Sequence, residues 1–115
     1  MTDKPLVAIT GASSGIGVEI WSTDTGASNH AATVGDDLNG YGIPEIVIGN
    51  WSAVDQFKCL DGATGTPIWA FHNGSYNYAM RLATISDITD DGVRDIALGS
   101  WARAVRVIDG TNGNL

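Results

Sequence analysis

The sequence predicts an all-β protein assembled from repeated four-stranded antiparallel units. Three observations predict it. Residues 37–51 recur fifty positions later as residues 87–101, with Asp, Gly, Ile, Gly and Trp identical at five places, and self-similarity at such a period marks a repeat architecture. Fifteen Gly and four Trp in 115 residues suit many tight turns around a few large anchors, a poor composition for a helical bundle. The apolar and β-branched runs are short and bounded by Asp, Asn and Gly, which is how strands and turns are written.

The length fits one domain, and 43% hydrophobic against 17% charged residues is enough to bury a core. Thirteen acids against six bases give a net charge of −7, the wrong sign for a nucleic-acid partner. Cys59 is the only cysteine, so an internal disulfide and a Cys-based zinc cluster within one chain are excluded. No apolar run approaches the roughly 20 residues of a membrane span, and residues 4–9 are too short for a signal-peptide core. No membrane partner is expected, and the chain as written is expected to be cytoplasmic.

Taken in order, residues 6–10 are a short apolar run leading into Gly11-Ala12-Ser13-Ser14-Gly15-Ile16-Gly17, a strand entering a glycine loop. This stretch resembles the nucleotide loop of short-chain dehydrogenases, Thr-Gly-x-x-x-Gly-x-Gly, through Thr10, Gly11, Gly15 and Gly17. The resemblance implies pyrophosphate binding at the start of a helix, but it covers residues 4–17 only. Residues 18–26 alternate and are β-branched, which is strand chemistry where that family needs a helix. The family's Tyr-x-x-x-Lys is missing, because four residues after Tyr41, Tyr76 and Tyr78 stand Glu45, Met80 and Leu82. Asp36 and Asp37 lie about 20 residues past the loop, where a ribose-binding acid would sit, but the repeat claims them. Residues 1–17 therefore read as a leader and 18–115 as the repeat segment. A local alternative pairs residues 6–10 with 18–21 as a hairpin, the glycines serving the turn.

In the first unit, strands are expected near residues 31–34, 45–49, 56–60 and 68–71, with an Asp/Gly-rich loop over 37–45 and a hairpin turn at 61–65. The second unit repeats them near 81–85, 95–99 and 104–108, and the sequence given stops at Leu115 before a fourth strand. At a shift of forty-eight, residues 60–65 recur as 108–113, Ile20-Trp21 matches Ile68-Trp69, and Gly17 matches Gly65. Residues 18–22 are thus expected to be a fourth strand belonging to no unit of their own.

Four short strands at this period are the spacing of a β-propeller blade. Residues 18–115 resemble FG-GAP and PQQ-like propeller repeats, whose signatures are an Asp-x-Asn-x-Asp-Gly-x-x-Asp loop before a strand and an Asp-Gly-x-Thr-Gly-x-x-x-Trp hairpin. Asp61-Gly62-Ala63-Thr64-Gly65 followed by Trp69 fits the second, and Asp87 to Asp95 fits the first except at Thr89. The fold class expected is all-β, two four-stranded antiparallel β-propeller-type blades completed by oligomerisation. Two blades alone leave apolar faces and strand edges uncovered. A head-to-tail homo-oligomer, a ring of three or four chains in which residues 18–22 complete a neighbour's rear unit, would cover them. A dehydrogenase-like start joined to such repeats with no linker reads as an engineered or chimeric chain, and the propeller resemblance implies a parent family often found outside the cell.

The loop Asp87-x-Thr89-x-Asp91-Gly92-x-x-Asp95 sets oxygen-bearing side chains at alternate positions with Gly at the bend, which suits calcium, and the Val93 carbonyl can add a ligand. The FG-GAP resemblance implies the same, with Thr89 in place of the usual Asn or Asp. The metal candidates are therefore Asp87, Thr89, Asp91, Val93 and Asp95. The matching Asp37, Asn39, Tyr41 and Glu45 depart further, and neither loop has the position-12 Glu of an EF-hand, since Ile48 and Leu98 stand there. The competing reading is that these acids close turns through Asx hydrogen bonds, without metal.

Trp21, Trp51, Trp69 and Trp101 recur in register and are expected to fill the space between units, against a carbohydrate-lining row. His30 and His72 occupy different registers with no acid or nucleophile paired to them, and Ser13 and Ser14 lack a base. Cys59 falls in a strand and is expected to be a small buried apolar group. Asn50-Trp51-Ser52 and Asn73-Gly74-Ser75 fit the glycosylation pattern, and Arg81, Arg94, Arg103 and Arg106 are expected to offset acids on exposed faces. The function expected is a non-catalytic structural or binding repeat module, with no catalytic and no cofactor-binding residues. The alternatives are a truncated NAD(P)-dependent oxidoreductase and a calcium-stabilised extracellular binding module.

Overall fold

In the computed structural model of the chain, the described residues are 17–51, 56–72, 79–100 and 104–115. They form seven strands in chain order: β1 (Asn29–Val34), β2 (Ile46–Asn50), β3 (Phe57–Leu60), β4 (Pro67–Phe71), β5 (Ala79–Thr84), β6 (Ile96–Ser100) and β7 (Val105–Ile108). There is no helix among the described residues. The strands make two antiparallel meanders, a four-stranded sheet β1-β2-β3-β4 and a three-stranded sheet β5-β6-β7. Each of the seven strands expected in the two units is present to within two residues at either end. Residues 1–16, which hold the dehydrogenase-like loop up to Ile16, the first arm of its hairpin alternative and Ser13 and Ser14, lie outside the described residues, as do Trp101, Arg103 and the Asn73 acceptor.

The register explains why these residues fold as they do. In the first sheet, Thr33↔Val47, Val47↔Cys59, Cys59↔Trp69 and Phe57↔Phe71 are paired, so period-two alternation gathers these side chains on one face. In the second sheet, Leu82↔Leu98, Thr84↔Ile96 and Ile96↔Ile108 gather on the other side of the interface. These two faces pack together into one core of Val47, Phe57, Cys59, Trp69, Ile96, Leu98 and Ile108, with Leu38, Phe71 and Leu82 at its margin. β1 and β2 both lie against β5. A Thr33–Thr84 hydroxyl contact of 3.1 Å and a bond from the Thr84 hydroxyl to the Val34 carbonyl, 2.6 Å, cross the same junction.

The repeat extends to irregularities. β1 carries a bulge between Asn29 and Ala31, and β5 carries one between Ala79 and Arg81, fifty residues apart. Both hairpin turns close alike: the Ala63 and Thr111 N–H groups donate to the Asp61 and Asp109 side chains at 2.8 Å. The Gly65 and Gly113 N–H groups donate to the Asp61 and Asp109 carbonyls at 2.7 Å.

Residues 18–22 depart from expectation, because they are not a strand. Among the described residues no strand ladders with them, and a strand without a ladder leaves its backbone groups unpaired. They are held by side chains. The Trp21 indole N–H donates to the Gly62 carbonyl at 2.9 Å, and the Thr23 hydroxyl to the Gly65 carbonyl at 2.8 Å.

Candidate functional site

The chemistry-bearing residues concentrate in the loop between β5 and β6. The Asp90 φ of 60° and the Gly92 φ of 88° turn the chain sharply there, and the turn is closed by carboxylates. Asp87 accepts the Asp91 N–H at 3.2 Å and the Gly92 N–H at 2.7 Å. Asp91 accepts the Val93 N–H at 2.9 Å and the Thr111 hydroxyl at 2.7 Å. The Thr111 hydroxyl and then the Val93 N–H favour the charged form, so the Asp91 carboxyl is held below the usual carboxylate range.

Asp95 behaves differently from its neighbours, being fully buried. One of its oxygens accepts the Ile88 and Thr89 N–H groups at 2.7 and 3.0 Å. The other accepts the Gly110 N–H at 3.1 Å and lies 3.2 Å from the Thr89 hydroxyl. A carboxylate has about four lone-pair sites; three of these accept N–H groups, and the fourth faces the Thr89 hydroxyl, whose one proton is shared with Asp87. Asp95 is a latch that joins the β5–β6 loop to the hairpin after β7. The first unit has the same latch: Glu45, also fully buried, accepts the Leu38 N–H at 2.7 Å and the Gly62 N–H at 3.0 Å. Spacing alone places Asp95 among the metal candidates. Its latch role depends on a donor fifteen residues away, visible beforehand only as the paired recurrence of Glu45 with Gly62 and Asp95 with Gly110.

Of the five metal candidates, the structure brings three together. Asp87, Asp91 and Asp95 each offer an oxygen, and these lie within 4.8 Å of one another. Oxygens bound to one calcium at 2.3–2.6 Å can be no farther apart than about 5 Å, so the spacing fits a shared cation. Three like charges at this separation repel, and a cation would relieve that. Asp87 and Asp91 retain lone pairs for it, whereas Asp95 has its own engaged. The Thr89 hydroxyl bridges Asp87 and Asp95, and Val93 contributes its N–H to Asp91. In the first loop Asp37 closes the turn by accepting the Gly40 and Gly42 N–H groups at 2.9 and 2.7 Å. Tyr41 stands where the middle acid would be, and the Asx closure is the arrangement seen there.

The three described tryptophans do not share one role. Trp69 is buried and donates its indole N–H to the Gly110 carbonyl at 3.1 Å, filling the space between the sheets as expected. Trp21 makes the equivalent contact on Gly62, forty-eight residues earlier in both partners. Trp51 instead is 41% exposed and lies at a tilt on His30, ring centroids 5.0 Å apart. Asn50 is buried and its amide N–H₂ donates to the Thr25 carbonyl at 3.2 Å, which corrects the glycosylation reading at that position, since an acceptor must be exposed. Asp36 meets Arg94: its carboxylate accepts the Arg94 backbone N–H at 2.7 Å and the guanidinium Nε–H at 2.8 Å. Cys59 is buried as expected.

The chain matches no protein-family model, and no curated protein or solved structure is significantly similar to it.

Proposed function

We propose that the chain is a non-catalytic β-propeller-type repeat module with a structural or binding role, one that assembles with copies of itself. The observation that carries this reading is the recurrence of a whole contact set. Sheet, bulge, carboxylate latch and tryptophan seat all return after one repeat, the pattern of units built to stack on their neighbours. A propeller-type ring closes only when enough units are present, typically four to eight. Three or four copies of this chain would supply six or eight. Light-scattering mass in solution tests the reading. A mass three or four times the 12.0 kDa of the chain is expected, and a monomer at every concentration would overturn it.

The rival of another class is a truncated NAD(P)-dependent oxidoreductase. It needs a helix following the glycine loop, whereas residues 17–28 contain none. Titration with NADPH separates the two, since the module is expected to leave the nucleotide's fluorescence unchanged.

A second reading, favoured by the Asp87, Asp91 and Asp95 spacing, is a calcium-stabilised module. Bound calcium would lock the β5–β6 loop and raise the melting temperature by linkage. The expected result is a rise in Tm on adding calcium that Asp91→Ala abolishes. A Tm indifferent to calcium would remove this reading and leave the first intact.

A further inference from the structure

We infer that a second copy of this chain lays its residues 18–23 along the free edge of β7, adding a fourth strand to the three-stranded sheet. The inference rests on the self-association proposed above and specifies its chemistry. The carrying observation is that Trp21 sits on the Gly62 carbonyl as Trp69 sits on the Gly110 carbonyl. A Cβ at Gly65 would run into the Trp21 ring, and one at Gly113 into the Trp69 ring. Residues 18–23 are therefore placed against the first sheet as β4 is placed against the second. β4, however, also ladders with β3, and residues 18–23 have no strand beside them among the described residues.

The complementary edge is that of β7, which among the described residues is paired with β6 alone. Moving the β3–β4 register, Phe57↔Phe71, Lys58↔Ala70 and Cys59↔Trp69, along by one repeat gives Val105↔Thr23, Arg106↔Ser22 and Val107↔Trp21. Burial marks the same gap. Phe57 and Cys59 are 0% and 1% exposed, while Val105 and Val107, their equivalents one repeat on, are 80% and 38% exposed. The face of the first sheet that bears Phe57 and Cys59 packs on the second sheet. The corresponding face of the second sheet, which bears Val105 and Val107, is the one left uncovered. A second copy arriving head first supplies both the missing strand and the missing cover, and apolar burial drives it.

The test mixes two variants, Ser22→Cys and Arg106→Cys, under mild oxidation, and reads non-reducing gels beside the solution mass. The buried Cys59 serves both chains as an unreactive background. A covalent one-to-one heterodimer that forms in the mixture, at least about tenfold more than either variant makes alone, is expected. An oligomer by mass that yields no such heterodimer would overturn strand donation while leaving self-association standing. A monomer by mass would overturn both. Val107→Asp provides an independent measurement, because the chain stays folded at this partly exposed position while the pairing must bury a charge. The concentration at half-dissociation is expected to rise at least about tenfold, and an unchanged value would overturn the proposal.

Discussion

Gly62 and Gly110 each lie so close beneath a backbone carbonyl, of Pro44 and Arg94 respectively, that a Cβ could not be placed without moving the chain. The carbonyl belongs to the loop that the Glu45 or Asp95 latch holds down, so the glycine and the latch are two halves of one contact. Gly62→Ala and Gly110→Ala are each expected to lower stability by about 1–3 kcal/mol, the usual cost of overpacking, read from urea midpoints. Gly35→Ala is the control. Its Cβ would meet Val47 at 3.6 Å, an ordinary contact, and a change below about 1 kcal/mol is expected. Cys59 makes a second residue-scale point. Burial first, and then the Glu45 and Asp61 charges, push its thiol up to about 12, so the thiolate is scarce at neutral pH. A thiol reagent at pH 8 should leave the folded protein unlabelled and react rapidly once urea unfolds it.

At the scale of elements, the loop before β6 is tied down by a carboxylate with no freedom left. Replacing Asp95 by Ala strands the Ile88 and Gly110 N–H groups without acceptors, and a loss of at least about 2 kcal/mol is expected. Asp91→Ala removes two exposed bonds, from the Val93 N–H and the Thr111 hydroxyl, and should cost far less, so a larger loss for Asp91 would refute the assignment of the latch. The strands themselves were legible in the sequence because the repeat states each of them twice, and boundaries slipped by only one or two residues. Residues 18–22 alternate as a strand does, yet they are not one. What alternation cannot specify is the ladder, since a strand is defined by the backbone beside it. The site was legible in part. Spacing finds Asp87, Asp91 and Asp95 as one cluster, but it cannot tell an acid with spare lone pairs from one already held by three N–H donors. Nor could it separate Trp69 from Trp51, whose partners Gly110 and His30 come from other elements.

Across the whole molecule, the two sheets are joined by an apolar core and by a few polar links that occur once. Asp36 and Arg94 form one of these, and their equivalents one repeat away are Ser86 and Pro44, which cannot form an ion pair. The Arg94 backbone N–H, and with it the guanidinium, hold the Asp36 carboxyl below its ordinary range. A carboxyl depressed by folding contributes stability above its unfolded value, about 3.9, and loses it as pH falls through the folded value. Unfolding midpoints should therefore drop between about pH 4 and the folded value, by less for Asp36→Asn than for the parent chain. Since Arg94 is 52% exposed, the difference is expected to stay below about 1 kcal/mol and to shrink in salt. An identical acid limb in both proteins would remove the pair from the account of how the sheets are joined.

Trp21 and Trp69 take the same seat one repeat apart, which gives the molecule a polarity. Under the proposed strand donation its leading end would offer a strand and its trailing end would receive one, so the two ends could not substitute for each other and no twofold pair would satisfy them. A chain with its trailing end blocked, as in Val107→Asp, would by that proposal still donate at the front. Titrated in small amounts into the parent protein, it should act as a terminator, leaving open, shorter arrays in place of closed ones, in proportion to the dose.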